Sequence, residues 1–293
     1  PRPVNFHIEA LRKMGAQIDL KDGNIACKGK LKGASIKFEK KSVGATGNIL
    51  MAASNAIGKT KIINAAREPE IVDLCRFLEK IGLEIKGAGT DVINIEPGCN
   101  DVSEIEYNVI PDRIEAGTFM LAAFMTKGDV AIRNVVPKHL EIVIDKMKKA
   151  GACIEQIRND TIRVKYDGKI SPVSLETEEF PGYPTDLQAQ WIALMTLAEG
   201  HCSIKENIYK DRFTHIAELR RFGARIHLKK NMALLKGSDK LRAAPVMSTD
   251  IRASASLIIA ALSAKGQSTI SRIYHIDRGY ENIEKKLSNC GAS

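Results

Sequence analysis

Short polar clusters stand directly before the long apolar runs of this sequence, and their side chains are suited to chemistry. They occupy residues 40–44 (KKSVG), 111–115 (PDRIE), 184–186 (PTD) and 248–252 (STDIR). Ser, Thr and Asp at such positions commonly cap helices, because their oxygens accept hydrogen bonds from unpaired N–H groups of the first turn. Helix N-termini also carry partial positive charge and bind phosphate or carboxylate groups. Spacing alone favours capping and leaves anion binding open.

Arginines accompany these clusters and strengthen the anion-binding interpretation. They are Arg113, Arg212, Arg252 and Arg278. A guanidinium group presents paired N–H donors that match the geometry of phosphate and carboxylate groups. If several clusters converge on one cleft, they would form a site for a polyanionic ligand.

The elements that must hold these clusters recur along the chain. RKMGAQI, EKIGLEI, KKAGACI, RRFGARI and SNCGAS share a glycine, and the intervals between these glycines are 67, 69, 72 and 68 residues. A second set of glycines follows apolar runs in the same phase. These are Gly58, Gly128, Gly200 and Gly266. Two markers in phase indicate a repeated structural unit.

Each unit is predicted to contain two helices and several strands. The first helix, as in WIALMTLAEG, is apolar on nearly every face and must be buried, and its glycine fits a left-handed C-terminal cap. A β-branched strand follows, then an amphipathic helix closed by glycine, then an alternating pair such as ACIEQI and TIRVKY that is typical of a β-hairpin. The sequence therefore predicts an α+β fold of repeated βαβαββ units, with buried helices inside and sheets outside.

Composition narrows the class of protein. A hydrophobic fraction of 44% and a charged fraction of 27% are typical of a soluble globular chain and exclude a disordered one. We expect a cytoplasmic protein, because no apolar stretch is long enough to span a membrane and the first residues lack signal-peptide organisation. Residues 201–293 carry 17 basic and 8 acidic groups, so the whole net charge of +9 arises there.

Cysteine and histidine spacing gives no metal or redox motif. The six cysteines are at least 24 positions apart, and the six histidines are not paired at ligand spacing. We therefore expect no metal and no cofactor. The cysteines are predicted to be reduced and mostly buried.

Long stretches of the chain resemble the UDP-N-acetylglucosamine 1-carboxyvinyltransferase family of enolpyruvyl transferases. They are VGATGNILMAA, NAAREPEIVDL, GAGTD, PDRIEAGTFMLAA, PTDLQAQ, DRFTHIAELRRFGA, TDIRASASL and RIYHIDRGYENIEKKL. The resemblance covers essentially all 293 residues and implies a two-domain enolpyruvyl-transferase fold with the active site between the domains. Residues 1–109 then correspond to the C-terminal part of the first, UDP-sugar-side domain. Residues 110–293 correspond to most of the second, catalytic domain.

The resemblance also implies the reaction. The enolpyruvyl group of phosphoenolpyruvate passes to the 3′-hydroxyl of UDP-N-acetylglucosamine with release of phosphate, which is the first committed step of peptidoglycan synthesis. Addition gives a tetrahedral ketal, and elimination of phosphate gives the enol ether. The expected partners are these two small molecules, with no nucleic acid and no membrane, and the oligomeric state is left open.

Residue roles are implied by position within the matching motifs. Asp186 corresponds to the general base at the sugar hydroxyl, Arg2 and Arg278 to arginines that hold phosphoenolpyruvate, and Arg278 is counted as catalytic with Asp186. Arg212 and Arg252 correspond to further arginines of the cleft. The residues matching the UDP-sugar site are Arg2, Pro3, Val4, Asn5, Phe6, Lys40, Lys41, Ser42, Val43 and Ile208. His275 either lines the cleft or supports it through a hydrogen bond.

The sequence departs from the family pattern at two places. Asn5 stands where the family commonly has Asp, which changes the charge facing the uracil. The family's catalytic cysteine lies just upstream of the motif that begins at Arg2, and a lysine that contacts phosphoenolpyruvate lies near the family's N-terminus. Both are absent from these 293 residues, and the repeat begins and ends within a unit. If these residues are the complete polypeptide, we expect it to be inactive, and if they are part of a longer chain, we expect the activity to belong to that chain. A catalytically inactive UDP-sugar-binding fragment is therefore kept as an alternative function.

Two other functions are compatible with parts of the sequence. The enolpyruvyl transferase of the shikimate pathway shares the fold and phosphoenolpyruvate, but its phosphate-reading motifs do not occur here. Nucleic-acid binding is suggested by the pI of 9.2 and the run LRRFGARIHLKK. That run has little aromatic interleaving and matches no nucleic-acid motif.

Overall fold

Glycines in the left-handed region close the amphipathic helices of every repeat. In the computed structural model, which describes residues 4–98 and 104–292, the five glycines of the first marker have φ between +89° and +104°. The N–H of the following residue donates to the carbonyl five positions back, as from Ala16 to Leu11 and from Ala224 to Leu219. This pattern is the Schellman closure of a helix. The predicted glycine closures of these helices are confirmed.

The second set of glycines does not cap the buried helices, so that expectation is wrong. Gly58, Gly200 and Gly266 have positive φ, but they lie three to five residues beyond the helix ends, in the turn into the next strand. At the fourth position Lys127 has φ +59°, and the N–H of Gly128 donates to the carbonyl of Ala123. None of these four glycines is therefore the left-handed residue that closes its buried helix.

Residues 1–110 form one of two compact units. Its elements are α1 (Asn5–Lys13), β1 (Gln17–Lys21), β2 (Asn24–Lys28), β3 (Ser35–Lys37), α2 (Val43–Ala53), β4 (Thr60–Ile63), α3 (Pro69–Lys80), β5 (Glu84–Lys86) and β6 (Val92–Glu96). We call this part unit 1.

Residues 111–293 form the second compact unit, unit 2. Its helices are α4 (Arg113–Met125), α5 (Glu141–Lys149), α6 (Gln188–Met195), α7 (His215–Arg221), α8 (Ile251–Ser263) and α9 (Ile283–Asn289). Its strands are β7 (Asp129–Arg133), β8 (Cys153–Arg158), β9 (Thr161–Lys165), β10 (Leu175–Glu176), β11 (His201–Lys205), β12 (Arg225–Lys229), β13 (Met232–Lys236), β14 (Leu241–Arg242), β15 (Pro245–Met247), β16 (Ala264–Lys265) and β17 (Thr269–Ser271). Short 3-10 turns lie at Pro137–Leu140, Thr185–Leu187 and Ile273–His275.

The two units contain sheets of the same design. Unit 1 has the strand order β3-β4-β6-β5, and unit 2 has the order β10-β11-β13-β12. In both, the first pair is parallel and the other two pairs are antiparallel, so a hairpin packs beside a crossover through a buried helix. A three-stranded sheet β7-β9-β8 repeats the hairpin part. The predicted α+β fold of repeated units is confirmed.

The core of unit 2 is built around helices that are apolar on most faces. All eight residues of α6 are buried, and most of α4 and α8 is buried as well. A few polar residues interrupt these apolar helices, namely Thr118, Gln188, Gln190, Ser254 and Ser256. Since a buried polar group needs a hydrogen-bond partner, these residues indicate where buried polar contacts occur in unit 2.

Cysteine burial differs from the sequence prediction. Of the five cysteines within the described ranges, all free, Cys75 and Cys202 are buried, Cys153 is half-buried, and Cys27 and Cys290 are exposed. The expectation of mostly buried thiols is therefore wrong. Every residue of β2, which carries Cys27, is exposed.

No helix that the structure describes is long and apolar enough to cross a membrane.

Candidate active site

Three of the polar clusters cap the helices that follow them. Ser42 accepts a hydrogen bond from the N–H of Ala45 at the start of α2, at 3.2 Å. Asp112 accepts from the first N–H groups of α4, and Asp250 accepts from the first N–H groups of α8. The capping interpretation is correct for these residues.

Asp186 is different, because it does not cap a helix. It lies within the 3-10 turn Thr185–Leu187, and the residue in the capping position is Pro184, whose side chain has no acceptor. The Asp186 carboxylate is therefore available for other partners. Its side chain remains 37% exposed, so that it borders solvent.

Two arginines bind the same oxygen of Asp186. Arg212 Nη2 lies 2.7 Å from Asp186 Oδ1, and Arg252 Nε lies 3.1 Å from it. The arginines follow Asp186 by 26 and 66 positions, and both guanidinium groups are largely buried. A carboxylate shared by two guanidinium groups leaves further N–H donors able to bind a second anion.

The arginines set the protonation state of Asp186. Partial burial by itself raises the pKa of this carboxyl, but the charges and hydrogen bonds of Arg252 and Arg212 outweigh it and lower the pKa below the ordinary value of 3.8. Asp186 is therefore ionised at neutral pH. An ionised carboxylate beside a cluster of cations can accept a proton from a hydroxyl placed against it.

Tyr280 joins Arg252 to the buried helices. Its hydroxyl lies 2.8 Å from Thr118 Oγ1 of α4, and it accepts longer hydrogen bonds, both 3.4 Å, from Gln190 Nε2 of α6 and Arg252 Nη1 of α8. Gln190 also donates to Thr118 Oγ1 and to the carbonyl of Asp186. Three helices therefore meet at one hydroxyl behind the Asp186 carboxylate.

A second set of hydrogen bonds holds Arg212. Its Nη1 donates to Thr185 Oγ1 at 3.0 Å, and Thr185 Oγ1 donates to Glu206 Oε2 at 2.9 Å. The guanidinium of Arg212 also lies over the ring of Tyr209, 5.5 Å from its centroid. Arg212 is thus oriented from two sides before any ligand binds.

Of the other predicted residues of unit 2, Ile208 and Arg278 are exposed and His275 is half-buried. Ile208 is 36% exposed, and its N–H donates to Glu206 Oε1. Arg278 is exposed, two residues before the buried Tyr280, and no hydrogen bond or ion pair joins it to the Asp186 cluster in the described part of the chain. His275 is half-buried, with its ring 4.2 Å from that of Tyr274. The assignment of Arg278 to a substrate stays a prediction.

The remaining predicted residues belong to unit 1. Lys41 Nζ lies 2.8 Å from Asp91 Oδ1, and a hydrogen bond from Lys41 lowers the pKa of Asp91 below its ordinary value. Lys40 is exposed and Val43 is the first residue of α2. Ser42, between Lys41 and Val43, caps the same helix. The segment 40–43 is thus a helix N-terminus with adjacent lysines.

The segment at the start of α1 lies beside this helix N-terminus. Val4 precedes α1, Asn5 begins it, and Phe6 packs its ring 6.1 Å from that of Phe38. The His7 imidazole lies 3.5 Å from the point that a Cβ would occupy on Gly44 in α2. The structure therefore brings the predicted segments 4–6 and 40–43 together. Arg2 and Pro3, which were also predicted, lie outside the described residues.

Sequence reasoning missed several residues of the Asp186 cluster. Tyr280, Thr118, Gln190 and Glu206 were not singled out, and Thr185 was considered only as part of a capping cluster. A usable signal was present for Thr118 and Gln190, which are polar residues within otherwise apolar helices. Glu206 gave no such signal, because an acidic residue after a strand usually lies at the surface.

Within residues 4–98 and 104–292, no group of three or more His, Cys, Asp or Glu side chains is arranged as a metal site.

The sequence matches the family described as EPSP synthase (3-phosphoshikimate 1-carboxyvinyltransferase) over residues 1–287. It is 52% identical over 293 residues to the UDP-N-acetylglucosamine 1-carboxyvinyltransferase of Geotalea daltonii, covering 99% of this chain and 70% of that protein. It is 51% identical, with the same coverage, to the enzyme of that name from Geotalea uraniireducens.

The fold is also similar to a solved structure of the same class. The crystal structure of the enolpyruvyl transferase NikO from Streptomyces tendae superimposes with a TM-score of 0.90 and 22% sequence identity, covering all of this chain and 72% of that one. At this identity the likeness concerns the fold.

Proposed function

The chain belongs to the enolpyruvyl transferase family, among whose members it is about half identical to UDP-N-acetylglucosamine 1-carboxyvinyltransferases, and from this we propose the reaction and the residues that perform it. The reaction is transfer of the enolpyruvyl group of phosphoenolpyruvate to the 3′-hydroxyl of UDP-N-acetylglucosamine, with release of inorganic phosphate. This is a step of peptidoglycan synthesis, and we propose that it occurs in the cytoplasm and serves cell shape and division.

We assign the general base to Asp186. The observation that carries this assignment is that Asp186 does not cap a helix and instead shares one oxygen with Arg212 and Arg252. It is ionised at neutral pH and partly accessible, as a base that meets an incoming hydroxyl must be. Its low pKa makes it a weak base in solution. Its contribution would therefore come from its position beside the sugar hydroxyl and from the attraction of its negative charge for the positive charge that develops on the substrates.

We assign anion binding to the arginines of the same cluster. Arg252 and Arg212 each have further N–H groups besides those bonded to Asp186, and these suit the phosphate and carboxylate of phosphoenolpyruvate. We assign Arg278 and Arg2 to the same substrate on the basis of the family motif. Arg278 is exposed and lies two residues before Tyr280.

We assign the UDP-sugar to the neighbouring segments 4–6 and 40–43 of unit 1, whereas the assignment of Ile208 rests on the family motif alone. The N-terminus of α2 offers free N–H groups beside Lys40 and Lys41, which suits a diphosphate. The start of α1, with Val4, Asn5 and Phe6, packs against it. In this assignment residues 1–109 form the UDP-sugar side and residues 110–293 the catalytic side.

The reaction balances without an oxidant or reductant. Asp186 takes the proton of the 3′-hydroxyl, the sugar oxygen bonds to C2 of phosphoenolpyruvate, and an acid protonates C3. One proton of C3 then passes to the conjugate base of that acid, and cleavage of the bond between C2 and the phosphate oxygen releases phosphate and leaves the enol ether. The arginines stabilise the negative charge on phosphate and carboxylate throughout. We do not assign the C3 acid to a residue of this chain.

The family description names one other acceptor, shikimate 3-phosphate, which is the alternative to UDP-N-acetylglucosamine. The two acceptors are distinguished by supplying phosphoenolpyruvate together with either UDP-N-acetylglucosamine or shikimate 3-phosphate to the polypeptide encoded by the gene, and measuring phosphate release. Phosphate release only in the mixture that contains UDP-N-acetylglucosamine supports the proposal. Release with shikimate 3-phosphate alone overturns it in favour of the sister activity, and UDP-sugar binding with no release in either mixture indicates a binding protein.

A further inference from the structure

Glu206 is a fully buried carboxylate at the end of β11, in the turn before Ile208. A buried acidic side chain is rare unless it is paired, because removing a charge from water is costly. No ion pair to Glu206 occurs within the described ranges, yet four donors surround it. Thr177 Oγ1, the N–H of Ile208 and the N–H of Tyr209 bond to Oε1 at 2.7, 2.8 and 2.9 Å, and Thr185 Oγ1 bonds to Oε2 at 2.9 Å.

The backbone of Glu206 is anchored as firmly as its side chain. Its N–H donates to the carbonyl of Asn231, and its own carbonyl accepts from Asn231 Nδ2, both at 2.8 Å. Asn231 lies in the turn between β12 and β13, so Glu206 is fixed to the four-stranded sheet of unit 2. The Glu206 carboxylate is therefore held in a fixed position relative to the sheet, beside the candidate active site.

The hydrogen bonds of Glu206 reach both members of the Asp186–Arg212 pair. Thr185 directly precedes Asp186 in the chain, and its oxygen accepts from Arg212 Nη1. A threonine hydroxyl has one proton. Because that proton is donated to Glu206, the lone pairs of Thr185 are left to receive Arg212, and the other arm of the guanidinium meets Asp186.

The same carboxylate shapes the loop from Asn207 to Arg212. Its Oε1 receives two consecutive backbone N–H groups, those of Ile208 and Tyr209, and the N–H of Arg212 in turn donates to the carbonyl of Tyr209. Glu206 thus fixes the path of the loop and the position of the Arg212 backbone, from which the Arg212 side chain extends.

We propose that Glu206 is a positioning residue of the transferase, which orients Arg212 through Thr185 and the 207–212 loop and so holds the Asp186–Arg212 pair ready for substrate. It touches neither substrate in this scheme. The kinetic part of the inference rests on the proposed function, whereas the geometric part concerns Asp186 and Arg212 in the protein without ligand.

The geometric part is tested by titrating the Asp186 carboxyl by ¹³C NMR in the complete encoded polypeptide and its E206Q variant. In the variant, the three donors at the Oε1 position hold the amide oxygen there, so the NH2 group faces Thr185 and cannot accept its proton. Arg212 is then held less closely and the pKa of Asp186 should rise. The T185V variant, which removes only the hydroxyl, should show the same rise, and T185S, which restores it, should not. An Asp186 titration unchanged in folded T185V overturns the proposal, even if E206Q does not fold.

The kinetic part uses the same variants. We expect kcat to fall about 10- to 100-fold in E206Q and T185V, as small misplacements of reacting groups do, and the acid limb of the pH profile to move to higher pH. The double variant should lose little more than either single variant, because both remove the same contact. Unchanged kcat and unchanged acid limbs in folded variants would contradict the proposal.

Asp73 provides the matched control. It is a buried carboxylate of unit 1 whose Oδ1 accepts from the hydroxyl of Tyr107 at 2.7 Å, away from the Asp186 cluster in sequence and unit. D73N should lower thermal stability and leave the acid limb in place. If the wild-type polypeptide released no phosphate with UDP-N-acetylglucosamine, the proposed function would fail, and the Asp186 titration would still decide the role of Glu206.

Discussion

Arg252 Nε donates a hydrogen bond to Asp186 Oδ1 at 3.1 Å, which joins the start of α8 to the turn that begins α6. Asp186 also receives Arg212, so its carboxylate lies between two cations that leave it ionised at neutral pH. This relationship separates Asp186 from the acidic residues that begin α4 and α8, which bond to their own helices.

Replacing Asp186 by Asn should remove the general base while preserving the fold. We expect kcat for enolpyruvyl transfer to fall about 100- to 10,000-fold, the range typical of a lost general base. Assays of phosphate release at saturating concentrations of both substrates measure this fall in kcat. D145N is the matched control, because Asp145 is a surface carboxylate paired with Lys149 at 2.8 Å, and it should retain wild-type kcat. Equal activity of D186N and D145N would rule out the assigned role.

Replacing Tyr280 by Phe should destabilise unit 2. The variant leaves Thr118 and Gln190 with one partner fewer and deprives Arg252 of its support behind the carboxylate. A lost buried hydrogen-bond partner costs about 1–2 kcal/mol, measured as a lower free energy of unfolding in urea. Y274F is the control, because Tyr274 is 55% exposed. A Y280F variant as stable as Y274F contradicts the role given to this hydroxyl.

Acid should destabilise the protein through His215. Burial lowers its pKa to about 4, a trend that Asp250 opposes and Arg212 reinforces. Between pH 6.5 and 4 the unfolded chain therefore binds a proton at this residue that the folded protein does not. The resulting stability is complete above pH 6.5 and is lost as the pH falls toward 4, by about 2 kcal/mol between pH 7 and pH 5.

The comparison of H215F with wild type tests this effect. Urea unfolding at pH 7 and pH 5 should show a smaller pH dependence for H215F, whereas substitution of the exposed His227 by Gln should leave the wild-type dependence intact. If H215F loses as much stability as wild type on acidification, another group is responsible.

Thiol reactivity should follow burial. Burial raises the pKa of Cys75 to about 12, with a contribution from Glu79, and raises that of Cys202 to about 11. Iodoacetamide at pH 8 should therefore label the exposed Cys27 and Cys290 in the native protein, and reach Cys75 and Cys202 only in denaturant. Peptide mass spectrometry identifies the sites, and rapid native labelling of Cys75 would contradict the described packing.

The repeated architecture could be predicted because it depends on local properties. Glycine after an amphipathic helix supplies positive φ at low cost, so Gly15, Gly82, Gly151, Gly223 and Gly291 marked the helix ends correctly. The glycines after the apolar runs misled, because turns into strands also use positive φ. At one of these places Lys127 adopts it instead, a choice that composition does not reveal.

Surface placement was harder to predict than periodicity. The cysteines were expected to be mostly buried, but the strand β2, which carries Cys27, pairs only with β1 in the described structure, and all of its residues are exposed. Burial depends on what covers a strand, which a single segment does not state.

The sequence alone determined the repeat, the alternation of buried helices and hairpins, and the resemblance that singled out Asp186, Arg212 and Arg252. These follow from periodicity and from residue types within short stretches. The tertiary structure alone decided that Asp186, unlike the capping residues Asp112 and Asp250, binds two arginines, and that Glu206 is buried beside them. Capping requires only neighbours in sequence, but an ion pair across 66 residues requires packed helices that bring its members within hydrogen-bonding distance.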